Sequence, residues 1–245
     1  MKILRLLPLL AIVCVVAACT RRPVRPRFET VVCDTLVGTS DWGCRVEYRF
    51  ASIRNAAASG ALEAIEKANI GYFFQLEAFD GTAAQAVGES LAQIGAELLP
   101  AAPGPAPAWS PGELSVESEG VLLDTLLCYT ICRSSYLGGA HGMYTVEYHN
   151  YSLAGGYELS AADLFGEERM QPLAELIRQK IRTKYEAEND EELAGRGFFP
   201  EYIDVTDNLR LAPDSVTFYF NPYEIGCYAL GPVEVSVAQE EVRAL

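Results

Sequence analysis

The sequence has few of the side chains and motifs that define the common enzyme classes. Only two histidines occur in 245 residues. The chain lacks a Gly-x-Ser-x-Gly nucleophile motif, a His-Glu-x-x-His metal motif and both common glycine-rich phosphate-binding loops. It also lacks a Cys-x-x-Cys pair, so thioredoxin chemistry and the usual structural zinc spacing have no support. No motif-defined enzyme class is therefore predicted.

Basic side chains are scarce as well. The chain has 19 Lys and Arg against 33 Asp and Glu, which gives a net charge of -14. A nucleic-acid binder needs Lys and Arg to neutralise phosphates, so we expect no nucleic-acid partner. The acidity is uneven, because residues 111–245 hold 23 of the acidic side chains. Half of the residues are hydrophobic, which is typical of a folded chain of one large domain or two small ones.

Long apolar runs are absent except near the N-terminus. The run at residues 6–18 is too short for a typical spanning helix and is typical of a secretory signal peptide, predicted over residues 1–18. It ends in Val16-Ala17-Ala18-Cys19, which resembles a bacterial lipobox, and Cys19 is the predicted lipidation site. Several acyl chains would hold the protein on a membrane. The alternative is an ordinary signal peptide that contains a cysteine.

The arginine- and proline-rich stretch 19–27 follows this cysteine. We interpret it as an extended basic tether beside anionic lipid headgroups, with a merely solvated linker as the alternative.

Five cysteines follow the predicted lipidation site, namely Cys33, Cys44, Cys128, Cys132 and Cys227. Disulfides form outside the cytoplasm, and an odd count leaves at least one thiol unpaired within the chain. Cys33 and Cys44 flank a turn-rich segment and are predicted to form a bridge across a hairpin. Cys128 and Cys132 lie about 13 Å apart if they share a strand, so one of them is a candidate partner for Cys227. The alternative is that several are small buried hydrophobic residues.

The pattern of apolar residues predicts an N-terminal α+β subdomain over residues 28–99. It consists of a hairpin at 29–51 and two helices at 53–70 and 82–99. Residues 100–112 contain five prolines and two glycines and are predicted to be a linker.

A second α+β subdomain is predicted over residues 113–245. Its strands are expected at 114–119, 121–134, 144–152, 215–221 and 232–237, with the first turn at Glu119-Gly120 and a helix at 171–186. The acidic run 186–192 is interpreted as a solvated face or loop. The predicted fold class is α+β, with antiparallel sheet and segregated helices in two consecutive subdomains.

Two groups of residues are candidates for binding. His141 lies in a glycine-rich turn, where Gly138 and Gly139 permit positive φ and a close approach to a ligand or another segment. Tyr223 and Tyr228 lie in a turn-rich segment at 221–232, and they either plug the end of a sheet or anchor a protein partner. His141 equally fits a structural role in its turn.

A metal site is a further alternative. Glu147 and His149 are expected on one strand face, and with His141 they would form a two-histidine, one-carboxylate site. The other interpretation is two unrelated polar side chains. No resident metal or cofactor is predicted.

Three blocks resemble a known family. Tyr136-Leu137-Gly138-Gly139-Ala140-His141-Gly142 resembles the Y-x-G-G-A-H signature of a domain of unknown function in extracytoplasmic bacterial proteins. Parts of residues 148–165 and 220–235 resemble its next blocks, and residues 44–99 resemble its companion domain more weakly. This family includes the outer domain of RsiV-type anti-sigma factors and the non-catalytic part of some peptidoglycan deacetylases.

The resemblance implies an α+β module that binds rather than catalyses. In RsiV-type proteins this region binds lysozyme, and binding exposes the chain to regulated proteolysis. Here the expected protein is a non-enzymatic, lipid-anchored binding protein of the bacterial cell envelope, with a lysozyme-type muramidase as the sharpest candidate partner. The acidic charge complements a basic enzyme, although it equally aids solubility. The alternatives are a peptidoglycan-binding accessory lipoprotein and a metal-dependent hydrolase.

Overall fold

The computed structural model describes residues 22–98 and 109–245. Residues 1–21, which include the predicted signal peptide and Cys19, lie outside the described residues, as does most of the proline-rich linker. The fold class is α+β, as predicted, with one five-stranded and one three-stranded sheet. In the part of the chain described, no helix has the length and apolar character needed to cross a membrane.

The first sheet contains strands from both sides of the proline-rich segment, in the spatial order β1-β2-β3-β4-β5. All neighbouring strands are antiparallel except β2 and β3, which are parallel. The parallel pair needs a long crossover, and two helices lie along it. The bounds are β1 Phe28–Gly38, β2 Gly43–Ile53, β3 Gly112–Leu123, β4 Leu126–Tyr136 and β5 Met143–Ser152.

The predicted boundary at residues 100–112 is therefore wrong. β3 pairs with β2 from Cys44↔Gly112 to Arg49↔Glu117, so the sheet continues across the linker. One hydrophobic core contains buried residues from both sides of it, including Phe50 and Tyr129. Proline excludes regular structure locally, but it does not determine which strands pair across the loop. The first structural unit extends through β5, and the second begins near Ala161.

Two crossover helices cover the core face of the first sheet, α1 Gly60–Phe74 and α2 Ala83–Leu98. The predicted start of the first helix at residue 53 is wrong because Ile53 ends β2. Ser59 is the N-cap, and its hydroxyl accepts from the Leu62 amide at 3.2 Å. A capping box precedes α2: the Thr82 amide donates to Gln85 Oε1 at 2.9 Å, and the Gln85 amide donates to Thr82 Oγ1 at 3.4 Å.

The predicted turn at Glu119-Gly120 is also wrong. β3 continues to Leu123, and Asp124 takes positive φ (54°) in the turn to β4. A Cβ at Gly120 would overlap the Phe28 ring, so this glycine makes room for an aromatic side chain within a continuous strand.

The second unit has its own core around the strands of the smaller sheet. Its elements are α3 Ala161–Phe165, α4 Met170–Lys184, α5 Asp190–Gly195, β6 Leu209–Leu211, β7 Ser215–Phe220, β8 Val233–Ala238 and α6 Gln239–Arg243. The predicted helix and strands are confirmed within one or two residues at most ends. The acidic run 186–192 contains the start of α5, where Asp190 pairs with Arg178 and Arg182.

Two asparagines of the second unit join it to the edge of the first sheet. Asn208 accepts from the Tyr148 amide at 2.8 Å and donates to the Val146 carbonyl at 2.9 Å. Asn221 accepts from the Val146 amide at 2.8 Å and donates to the same carbonyl at 3.1 Å. A side-chain amide has the same donor and acceptor as a peptide group, so these residues occupy the place of a neighbouring strand. They cover an edge that would otherwise be open.

The ordered fold begins before β1. Asn55 donates to the Arg25 carbonyl at 3.0 Å and accepts from the Arg27 amide at 2.7 Å, and Pro26 is buried. The end of the predicted tether is therefore docked on the first unit. The core residues of both units lie between Phe28 and Val242, so a chain that starts at residue 22 includes both cores.

The predicted Cys33–Cys44 bridge is not formed. In the register of the first hairpin, Cys33 lies opposite Tyr48 and Cys44 lies opposite Val37, four positions away along the ladder. That separation, about 13 Å, exceeds the reach of a disulfide. All five cysteines within the described residues are free, Cys128 and Cys227 among them. Burial raises the pKa of the Cys128 thiol, which agrees with the alternative interpretation of this cysteine as a small buried hydrophobic residue.

Candidate binding surface

Three of the predicted binding residues meet in space. His141 lies in the loop between β4 and β5, and Tyr223 and Tyr228 lie in the loop after β7. The His141 ring stacks on the Tyr228 ring with 3.6 Å between centroids. The Tyr223 hydroxyl lies 3.3 Å from His141 Nε2, and the two tyrosine rings are 5.6 Å apart. The two loops come from different structural units and form one site.

Backbone contacts hold these rings in place. The Tyr228 hydroxyl donates to the Gly142 carbonyl at 2.7 Å, and His141 Nδ1 lies 2.9 Å from the same oxygen. Because a carbonyl only accepts, Nδ1 is the donor. Nε2 can then accept from the Tyr223 hydroxyl. The arrangement fixes the imidazole within its own loop and orients both tyrosines.

The two predicted glycines shape the loop from behind. Gly138 and Gly139 have φ of +95° and +97°, a region that side chains rarely adopt. A Cβ at Gly138 would lie 2.5 Å from the Trp109 ring, so the indole packs directly on this glycine. Tyr136 donates to the Gly139 carbonyl at 3.4 Å. The close approach that glycine permits at position 138 is therefore to Trp109.

The same end of the molecule exposes several large apolar side chains. Tyr223 is 51% exposed. Its backbone has a positive φ of 74°, which is unusual for a bulky residue. We define the aromatic surface as these exposed or half-exposed residues with the histidine stacked among them: Tyr136, Leu137, His141, Tyr144, Tyr223 and Tyr228. His141, Tyr223 and Tyr228 contact one another within it, and exposed clusters of large apolar side chains are typical of interaction sites.

A second polar cluster surrounds the other histidine, on the core face of β5. His149 is buried, stacks on the Tyr72 ring of α1 at 4.1 Å and pairs with Glu158 through Nδ1 at 2.7 Å. Glu147 forms a longer ion pair with its Nε2, at 3.6 Å. Tyr72 also donates to Glu158 at 2.9 Å. The cluster ties α1, β5 and the segment after β5 together.

The charges of this cluster depend on one another. Burial lowers the pKa of His149, but the adjacent carboxylates of Glu147 and Glu158 outweigh it and raise the pKa to about 8. Burial raises the pKa of Glu158, and the contacts with His149 and Tyr72 reverse that effect and lower it overall. Burial and the Glu158 carboxylate raise the pKa of Tyr72 to about 12. His149 is therefore a buried cation that the carboxylates stabilise at neutral pH.

The metal site considered at His141, Glu147 and His149 is not formed, because His141 lies apart from the other two residues. Glu147 and His149 do meet, but His141 binds its own loop and contacts Tyr228 at the far end of β5. From Met143 to His149 the strand extends about 20 Å. Across residues 22–98 and 109–245, no cluster of three or more His, Cys, Asp or Glu side chains is arranged to hold a metal ion.

Several residues of these sites were not predicted from the sequence. They are Glu158 and Tyr72 at His149, Trp109 behind Gly138, and Tyr144 on the aromatic surface. Tyr72 and Trp109 come from segments remote in sequence, whereas Glu158 lies nine positions from His149 and Tyr144 lies close to His141. The Tyr72 hydroxyl and Glu158 are 86 positions apart, for example. Trp109 lay inside the proline-rich stretch interpreted as a linker, and only its aromatic character would have drawn attention to it.

The acidic character of the second half is a surface property. Of the acidic side chains in residues 111–245, only Glu147, Asp190 and Glu241 are half-buried, and the others are exposed. Glu224, next to Tyr223, accepts from the Asn221 amide at 2.9 Å and stays exposed. Most acidic side chains of the second half are therefore exposed on the surface, and Glu224 lies beside Tyr223 of the aromatic surface.

Comparisons with known proteins show a likeness of fold. Residues 162–240 match a family described as "Protein of unknown function (DUF3298)". A DUF3298 family member from Bacteroides fragilis has a similar crystal structure, with TM-score 0.76 and 22% identity over 92% of this chain and 95% of that chain. A DUF3298 family protein from Pseudomonas aeruginosa gives TM-score 0.63 and 15% identity over 90% and 94%. No protein with a curated description matches the chain.

Proposed function

We propose that this protein is a non-enzymatic, lipid-anchored binding module of the bacterial cell envelope that contacts a basic protein partner through the aromatic surface. The observation that carries the proposal is the convergence of His141, Tyr223 and Tyr228 from two units into one exposed site. The partner that fits best is a lysozyme-type muramidase, because the resemblance to RsiV-type proteins rests on the segments that form this site.

The aromatic surface has the features of a binding hot spot. Tyrosine supplies a large contact area and a polar hydroxyl, and it is enriched at the centres of protein interfaces. Tyr223 is exposed but held by His141 and Tyr228, so little side-chain freedom is lost when a partner binds. This preorganisation favours recognition of a partner at the exposed ring face.

The surrounding charge suits a basic partner. The exposed acidic residues of the second unit attract a cationic protein and speed its encounter. Salt screens such attraction over about 10 Å at 0.1 M, so the association rate should fall as salt rises. Contacts at the aromatic rings depend less on salt, and they would supply the affinity that remains.

The histidine environments favour binding over catalysis. Both ring nitrogens of His141 contact groups of the site itself, Gly142 and Tyr223. His149 is buried between Tyr72 and two carboxylates. A general acid or base must reach the substrate proton, and the buried His149 ring does not have that access in this arrangement.

The test is calorimetric titration of the soluble chain 22–245 with hen-type lysozyme at low and physiological salt. We expect micromolar or tighter binding at physiological salt, and Tyr223→Ala should weaken it by at least about tenfold because the anchor ring is lost. Tyr202→Ala is the matched control, since Tyr202 is 64% exposed elsewhere on the second unit. Absence of binding at either salt would overturn the muramidase assignment.

Peptidoglycan is the second candidate partner, because an exposed Tyr223 ring also offers a flat face on which a sugar ring can pack. Purified cell wall should then retain the soluble chain in a pull-down, and Tyr223→Ala should reduce retention while Tyr202→Ala does not. Retention that is equal for both variants would remove the aromatic surface from this role.

The anchoring has its own test. Cys19→Ser removes the thiol that the lipobox offers for acylation, so the full-length variant should move from the membrane fraction to the soluble fraction after cell breakage. Cys33→Ser is the matched control, because it removes a free thiol from the folded part. Membrane retention of the Cys19→Ser protein would refute lipid anchoring at this residue.

A further inference from the structure

An apolar cavity of about 630 Å³ lies where the two structural units meet. Its volume is within the range of small-molecule sites, and such sites often lie between structural units. The first unit contributes Leu123 and Leu126, at the end of the β3–β4 hairpin. The second contributes Leu164 and Phe165 of α3 together with residues of β7 and α6. The cavity is separate from the aromatic surface and from the His149 cluster.

Two of the polar residues at this cavity are cationic. Arg169 and Arg243 line it, together with Gln239 and a single carboxylate, Asp124. The Arg169 guanidinium donates to the Phe165 carbonyl at 2.7 Å and to Glu168 at 2.8 Å, which holds it beside α3. Arg243 donates to Gln239 Oε1 at 2.9 Å, and its side chain is exposed. The net charge of the lining is positive in a protein whose overall charge is strongly negative.

We propose that this cavity binds the anion of a medium- or long-chain fatty acid. The hydrocarbon chain would lie against Leu123, Leu164 and Phe165, and the carboxylate would pair with Arg169 and Arg243. Guanidinium groups bind carboxylates through charge-assisted hydrogen bonds. A neutral sugar would not match the apolar lining, and an uncharged hydrocarbon would make no charge-assisted hydrogen bond with the two arginines. The proposal is independent of the partner-binding role of the aromatic surface.

The first experiment is a chain-length series. The soluble chain 22–245 is titrated calorimetrically with octanoate, decanoate and dodecanoate, each below its micelle concentration. We expect one site and an affinity that rises about fourfold per methylene, because each buried methylene contributes a constant hydrophobic increment. Dodecanol has a similar chain without the charge and should bind more weakly than dodecanoate. Lack of saturable binding, or an equal affinity for all three acids, would overturn the proposal.

Variants then locate the site. Arg243→Gln removes an exposed charge at the cavity and should weaken dodecanoate binding by about three- to tenfold. Leu123→Trp places a larger side chain at the cavity and should weaken dodecanoate binding further. The thermal midpoint of this variant is measured to show that it folds. Arg45→Gln is the matched control, because Arg45 pairs with Asp34 on the first sheet, away from the cavity. Unchanged binding in both cavity variants would contradict the assignment.

The protein's own acyl chain is the competing occupant. Full-length lipidated protein in nanodiscs should bind dodecanoate as the soluble chain does, if the site takes a free fatty acid. Binding by the soluble chain that is lost in the lipidated protein would assign the cavity to the lipid on Cys19 and overturn the proposal.

Discussion

At the scale of single residues, His149 shows how neighbours override burial. An imidazole removed from water loses affinity for a proton, but Glu158 at 2.7 Å and Glu147 at 3.6 Å restore it. The Tyr72 ring closes the remaining side by stacking. The folded protein therefore binds a proton at His149 more tightly than the unfolded chain does, and its stability depends on pH in a defined direction.

The unfolding free energy should fall as pH rises from about 6.5 to above 8. A histidine whose pKa is raised to about 8 on folding contributes stability that is complete below 6.5 and is lost above 8. The change is about 2 kcal/mol for a shift of this size. Urea unfolding at pH 6 and pH 9 measures it. His149→Gln should flatten the pH dependence, whereas His141→Gln, at the exposed histidine, should keep it. A flat profile in the unaltered protein would contradict the ion-pair arrangement.

Part of this cluster was predictable from the sequence. Strand alternation placed Glu147 and His149 on one face, and the structure agrees, because the two side chains meet on the side of α1. Tyr151 lies on the same face, where its hydroxyl donates to Asn69 of α1. Glu158 and Tyr72 were not predicted as partners of His149, because a strand pattern defines a face of the strand but not the residues that pack against it. The same limit applied to Gly120, where glycine signalled a turn but serves the packing of Phe28.

At the scale of elements, the edge of β5 decides how the two units are joined. Asn208 and Asn221 satisfy the backbone groups of Val146 and Tyr148, and the segment after β5 bridges back through Tyr151↔Glu158. An unpaired buried backbone group costs about 1–3 kcal/mol, so these amides stabilise the junction of the two units. Hydrophobic periodicity predicted most strands and helices here, but it carries no information about asparagines that replace a strand.

Asn208→Ala should lower the unfolding free energy by about 1–3 kcal/mol, because the Tyr148 amide and the Val146 carbonyl lose a partner. Hydrogen exchange should show faster exchange at the Tyr148 amide in this variant. Asn55→Ala is the matched control, since Asn55 holds only the start of the chain. Equal exchange at Tyr148 in the two variants would show that the amide does not depend on Asn208.

At the scale of the whole molecule, the aromatic surface exists only because the two units are packed together. His141 and Tyr223 are 82 positions apart and come from different units. The glycines and aromatic residues of each loop indicated a binding site in the sequence, and the blocks that resemble the known family include both loops. Their meeting depends on the junction at β5, which no local pattern describes. The misplaced boundary at residues 100–112 has the same origin, because strand pairing across a loop is a property of the folded whole.

The most direct test of the central claim is hydrogen exchange of the soluble chain 22–245 with and without hen-type lysozyme. Binding through the aromatic surface predicts slower exchange at residues 137–142 and 221–231, with no change in β1, the outer strand of the first sheet. The same protection should be absent for Tyr223→Ala at equal concentrations. Protection confined to other surfaces, or no difference on adding lysozyme, would contradict the assignment of this surface as the contact site.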